Sequence, residues 1–129
     1  MSSVLLVEDD PDVVNLATRW LARQGHVVTH AASGGGALEL LAVDPLPAVV
    51  LLDVMLPKVD GFEVLRRIRA DARTKALPVV MVTSFSRDKD AKRGRELGAN
   101  DYIVKPLMEV DFLERVAAAM KIKPPSPPA

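Results

Sequence analysis

Ala48-Val49-Val50-Leu51-Leu52-Asp53-Val54-Met55-Leu56-Pro57 carries four consecutive aliphatic residues, Val49 to Leu52, straight into an aspartate. A short unbroken apolar run suits a strand buried on both faces, as in a parallel sheet with helices above and below it. An aspartate at the carboxyl end of such a strand stands at the rim of the sheet, where open α/β folds place their ligands. Taken alone, Asp53 fits a simpler role better, capping or solvating the strand end. Its meaning depends on what else reaches the same rim.

Upstream, Val4–Val7 is a second short apolar run, and it ends in Glu8-Asp9-Asp10-Pro11. Proline suits the first turn of a helix, with Asp10 as its N-cap. Val13, Leu16, Ala17, Trp20 and Leu21 then recur at helical spacing until Gly25. Like charges crowded at the end of a buried strand repel one another, so a cation is the natural partner of the acidic triplet. His26–Ala31 reads as a weaker strand at a sheet edge. With no third ligand in sight, His26 and His30 read as surface residues. Ser33 is placed to cap a helix from Gly34 to about Val43. The run Gly34–Gly36 lacks the Gly-Lys-Ser/Thr ending of a phosphate loop and reads only as a loosened first turn.

Downstream, the loop Leu56–Gly61 leads into a helix with Phe62, Val64, Leu65 and Ile68 inward. Leu77–Val82 is a fourth strand ending in Thr83-Ser84, and Arg87–Leu97 is a polar helix. Few apolar residues and an internal Gly94 make that helix the least anchored of the set. Asp101–Val104 is a fifth strand ending in Lys105-Pro106, followed by a helix over Val110–Met120. Strands alternating with helices through short loops predict a (βα)5 doubly wound, five-strand parallel sheet with helices on both faces.

The bulk properties narrow the field. At 129 residues the chain is one domain by length. Lys plus Arg and Asp plus Glu balance at 17 each, so no global field draws in nucleic acid or an anionic membrane. The absence of cysteine excludes disulfides, thiol catalysis and thiolate metal sites. No stretch has the length of a signal peptide core or a membrane span, and the expected setting is the cytoplasm. Residues 1–121 are expected to form the domain, and residues 122–129, with four prolines, a Pro-rich disordered tail or linker stub.

In a parallel sheet all strands deliver their carboxyl ends to one side. There the first strand brings Glu8, Asp9 and Asp10, the third Asp53, the fourth Thr83 and the fifth Lys105. Carboxylates, a hydroxyl and an ammonium in one crevice suit phosphoryl transfer to a carboxylate, with Asp53 as acceptor. Asp9 and Asp53 would hold Mg2+, with Glu8 or Asp10 behind them on a metal-bound water. The metal and Lys105 would offset charge on the transferred group, and Thr83 would donate to it once attached.

The motifs Val-Glu-Asp-Asp-Pro (7–11), Leu-Leu-Asp-Val-Met-Leu-Pro (51–57), Asp60-Gly61, Val-Thr-Ser (82–84) and Gly-Ala-Asn-Asp-Tyr-Ile-Val-Lys-Pro (98–106) resemble those of response-regulator receiver domains of two-component signalling. The resemblance spans about Ser3 to Lys121. It implies the flavodoxin-like strand order 2-1-3-4-5, for which the chemotaxis receiver is a standard illustration. It implies that Asp53 takes phosphate from a histidine kinase or a histidine phosphotransfer protein. It assigns Glu8 and Asp9 as the acidic pair, the Met55 backbone carbonyl as a metal ligand, Thr83 and Tyr102 as the switch, and Lys105 as the phosphate-binding lysine. Such a domain is a signalling module, catalysing only its own phosphoryl uptake and slow loss, and its output is a protein partner or effector rather than direct nucleic-acid binding.

Further expectations follow from that resemblance. Movement of Thr83 toward the phosphoryl group would free space into which Tyr102 rotates, repacking the face formed by the fourth helix, fifth strand and fifth helix. Met55 and Phe85, two residues after Asp53 and Thr83, are too apolar to orient a hydrolytic water, which predicts a long-lived acyl phosphate. Asp101 and Arg115 either pair across a two-fold dimer through that face or form an intrachain surface pair in a monomer. A phosphorelay intermediate and a receiver belonging to a larger regulator or hybrid kinase are the alternative settings. A haloacid-dehalogenase-type enzyme would need a second Asp at position 55, and a flavodoxin would need a Ser/Thr-Gly phosphate loop after the first strand.

Overall fold

The computed structural model describes residues 2–121; the expected proline-rich tail over 122–129 lies outside the described residues. Ten elements alternate: β1 (Ser3–Val7), α1 (Pro11–Arg23), β2 (Val27–Ala31), α2 (Gly34–Leu41), β3 (Val49–Leu52), α3 (Gly61–Ala70), β4 (Val79–Thr83), α4 (Asp88–Glu96), β5 (Asp101–Val104) and α5 (Glu109–Met120). The five strands are parallel and stand in the order β2-β1-β3-β4-β5, with β2 at an edge as its weaker sequence predicted.

Period-two alternation along the strands divides the core. Leu5, Val7, Val50, Leu52, Val79, Met81 and Tyr102 face one side, where α2 and α3 supply Ala37, Leu41, Phe62, Val64, Leu65 and Ile68, joined by Ala91 of α4 and by Leu97 just after it. Val4, Leu6, Val49, Leu51, Val80, Val82 and Ile103 face the other, against α1 and α5. There Trp20 and Phe112 join the two helices at 6.0 Å between ring centroids. Central strands covered on both faces must be apolar at every position, which is why β3 and β4 read as continuous runs rather than alternating ones.

The helix starts are set by side chains. Asp10 accepts from the Asp12 amide at 2.9 Å, Ser33 from Gly36 at 3.0 Å and Asp60 from Glu63 at 3.0 Å. β4 begins at Val79 rather than Leu77, because Pro78 has no amide to donate; its carbonyl still accepts from Val50 at 2.9 Å. α2 stops at Leu41, two residues short of the expected Val43. Arg73 closes that end, donating to the Leu41 carbonyl and lying 2.8 Å from Asp44.

Candidate functional site

Strand register brings the site together. Val7 pairs with Leu52, so the next residues, Glu8 and Asp53, emerge side by side. Thr83 pairs with Val104, and Lys105 follows directly. The Lys105 amide donates to the Thr83 carbonyl at 2.8 Å, which carries the β4–β5 ladder one step past the strands. Gly61, at the start of α3, passes directly against the back of Asp53. A Cβ there would overlap the Asp53 carbonyl oxygen and lie 2.7 Å from the Asp53 carbonyl carbon. Only glycine allows this approach.

Lys105 Nζ lies 2.7 Å from Glu8 Oε1 and 2.9 Å from Asp53 Oδ2. Glu8 and Asp53 are buried, at 1% and 4% exposure. The second Asp53 oxygen, Oδ1, accepts from the Met55 amide at 3.1 Å. Burial is the largest influence on Glu8 and pushes its carboxyl up to about 7. The Lys105 hydrogen bond opposes that push, and nearby Asp53 adds to it. For Lys105 burial alone would pull the ammonium down, but its bonds to Glu8 and Asp53 outweigh this and hold it above its usual value.

Carboxylate oxygens of Glu8, Asp9 and Asp53 lie within 4.8 Å of one another. Three carboxyl groups share one ammonium, a surplus of acid that suits a divalent cation, and such a cation would favour the ionised form of Glu8. Oxygen-only donors select a hard ion such as Mg2+, Mn2+ or Ca2+. Asp10 is not in this group. Its side chain caps α1, and of the two residues considered for the outer position only Glu8 faces the acidic pocket.

Thr83 is fully buried, and its Oγ1 accepts from the Phe85 amide at 3.3 Å. Tyr102 points into the core. The residue is 8% exposed, and its hydroxyl donates to the Phe85 carbonyl at 2.8 Å. Burial, with the charges of Asp90 and Asp53, pushes the phenol up to about 12. Gly94 of α4 makes room for this pose: a Cβ there would stand 3.1 and 3.3 Å from two Tyr102 ring carbons. Thr83 and Tyr102 therefore meet at one short segment, the backbone of Phe85. Asp101 and Arg115 are 3.3 Å apart within the chain, and Arg115 also reaches Asp111 at 3.2 Å. This is the intrachain surface pair, of little energetic weight.

One contact escaped the sequence reading. His30 is exposed, as its sequence position suggested, yet it also bonds through Nε2 to the Glu8 backbone carbonyl at 2.7 Å. The two residues are 22 positions apart, and no motif or helical spacing links them.

The model of the response regulator receiver domain matches residues 4–117. Over 121 residues the chain is 45% identical to the transcriptional regulatory protein AfsQ1 of Streptomyces coelicolor, spanning 94% of this chain and 52% of that protein. It is 36% identical to the protein PilH of Pseudomonas aeruginosa over 120 residues, 93% of this chain and 98% of PilH. A solved receiver domain of a sensor histidine kinase from Pseudomonas aeruginosa, with magnesium coordinated in its active-site cleft, is similar at a TM-score of 0.84 and 27% identity, covering 92% and 97% of the two chains. The chain belongs to the response-regulator receiver family and is a receiver domain of two-component signalling. It thus spans about half of AfsQ1 but nearly all of PilH. Among the described residues, no helix is long and apolar enough to cross a membrane.

Proposed function

We propose that Asp53 accepts a phosphoryl group from the phosphohistidine of a sensor histidine kinase or histidine phosphotransfer protein, and that residues 1–121 act as the receiver unit in the cytoplasm. An Asp53 carboxylate oxygen attacks phosphorus, an O–P bond forms, the P–N bond breaks and the imidazole leaves with the bonding pair. The observation that carries this reading is one half-buried ammonium, Lys105, shared at 2.7 and 2.9 Å between Glu8 and Asp53. Lys105 holds Asp53 in place and stands ready to meet an oxygen of the incoming group. Asp9, Asp53 and the Met55 carbonyl would hold Mg2+, and Glu8 would hold it through water. When bound, Mg2+ neutralises charge on the transferred oxygens. Thr83 donates to the acquired group, and movement of its Oγ1 toward that group strains the bond from the Phe85 amide and alters the segment that Tyr102 grips. Protein chemistry is confined to phosphoryl uptake and slow loss; the output is a protein contact.

The test is phosphorylation with acetyl phosphate, read as one added phosphoryl mass on the intact protein. Wild type should gain it only with Mg2+, and Asp53→Asn should not gain it at all. Labelling of Asp53→Asn at the wild-type rate would refute the assignment.

A dimer through α4, β5 and α5 has a specific observation in its favour. Lys89, Lys92 and Arg95 are exposed on α4, while Glu109, Asp111 and Glu114 are exposed on α5. A two-fold contact sets the basic helix of one copy beside the acidic helix of the other. Sedimentation with and without beryllofluoride separates this dimer from a monomer.

A further inference from the structure

We infer that His30 is a positioning residue for the acidic pocket: its imidazole replaces the strand-ladder donor that the Glu8 carbonyl lacks, and so fixes the backbone from which Glu8 and Asp9 project. The inference rests on the metal-assisted phosphoryl acceptance proposed above.

The β1–β2 ladder runs in register from Ser3 and Val27 to Val7 and Ala31. It continues one bond further, from the Glu8 amide to the Ala31 carbonyl at 3.0 Å. In a parallel ladder the next bond would run from the amide of residue 33 to the Glu8 carbonyl. The chain has turned away by then: Ser33 is the N-cap of α2, its side chain spent on Gly36. A carbonyl beside two carboxylates is thus left without a backbone donor, and His30 Nε2 meets it at 2.7 Å. A carbonyl oxygen only accepts, so this contact places the ring proton on Nε2. β2 then holds both backbone groups of Glu8, the amide through Ala31 and the carbonyl through His30. Glu8 reaches Lys105 and the other carboxylates from this anchored peptide, and Asp9 is the next residue along. Outer contacts of this kind orient metal-binding groups, and losing one typically costs 10- to 100-fold in affinity.

The test compares wild type, His30→Ala and His30→Gln, since glutamine carries an amide donor at about the reach of Nε2. Mg2+ binding is read by titration calorimetry, and melting is measured in EDTA. His30→Ala should weaken Mg2+ binding about tenfold, and His30→Gln should restore most of it. An unchanged Mg2+ dissociation constant in His30→Ala overturns the inference. A loss that His30→Gln does not repair also overturns it, as does a loss matched only by a lower EDTA melting point in both variants. Acetyl phosphate labelling of wild type runs in parallel. Failure to label wild type, with the Mg2+ results as expected, would sink the phosphoacceptor reading while leaving the role of His30 standing.

Discussion

Glu8 carries the largest unpaid cost in the site: a buried carboxyl whose ionised form burial disfavours, with its titration moved from 4.5 to about 7. Below the unfolded value it is neutral in both states and costs nothing. As pH rises toward 7 the unfolded chain releases the proton first, so the metal-free folded state loses stability through that window and none beyond it. The loss is up to about 3 kcal/mol by linkage. In EDTA, wild type should lose stability relative to Glu8→Gln between about pH 5 and pH 8. Saturating Mg2+ should flatten the difference, because a cation favours the ionised form. A pH-independent difference would contradict this account. Met55 supports a second prediction at the same scale. Its side chain is 56% exposed yet apolar, so it stands at the rim without a group to orient water. Met55→Asn should shorten the acyl-phosphate lifetime of the isolated domain several-fold, measured as the decay of the phosphorylated mass.

Helix α4 shows why an element can look weak and still be specified. Its buried residues are Asp90 and Gly94, with Arg87 3.0 Å from Asp90 and Arg93 4.5 Å above the Phe62 ring. Gly94 costs the helix about 1 kcal/mol in propensity relative to alanine. An added methyl, however, would press on a Tyr102 ring held by its hydroxyl bond to Phe85, an overpacking worth about 1–3 kcal/mol. Gly94→Ala should therefore destabilise wild type but stabilise Tyr102→Ala by about 1 kcal/mol. Urea melts of the four proteins give the coupling directly, and additivity would refute the steric account. The proposed switch is tested beside this element, at the end of β4. Thr83→Ala should still be phosphorylated on Asp53 but bind its partner equally well with and without beryllofluoride. Tyr102 lies inward and grips the Phe85 carbonyl at 2.8 Å, so the same pair of proteins also reads whether the Phe85 segment carries the change.

For the molecule as a whole, Arg69 joins the end of the sheet opposite the site. Its guanidinium donates to the carbonyls of Gly98, Lys75 and Leu77 at 3.0, 3.1 and 2.6 Å, and to Asn100 Oδ1 at 3.1 Å. Asn100 in turn accepts from the Val79 amide at 2.8 Å, so one side chain ties α3 to the starts of β4 and β5. Arg69→Met should cost about 3 kcal/mol in a urea melt, and Arg69→Lys should recover little, since one ammonium cannot span a fork of acceptors. Metal binding at the far rim should be unchanged.

How much of this was legible depended on range along the chain. The strands, the caps Asp10 and Ser33, and the parallel sheet follow from local pattern, because burial on two faces and unsatisfied helix amides act on neighbouring residues. The convergence of Glu8, Asp9, Asp53, Thr83 and Lys105 was also legible, since parallel strands send every carboxyl end to one side. The bond from His30 to Glu8, the fork of Arg69 and the burial of Tyr102 against Gly94 were not. Each joins residues brought together by register or packing, and none leaves a periodic mark in the sequence. By itself the sequence determined the strand-helix alternation and the chemical inventory of the rim, because both rest on short-range physics. Only the tertiary structure decided which carboxylates share the lysine, what holds the Glu8 carbonyl and where Tyr102 rests, because those outcomes are set by ångström-scale packing between distant segments.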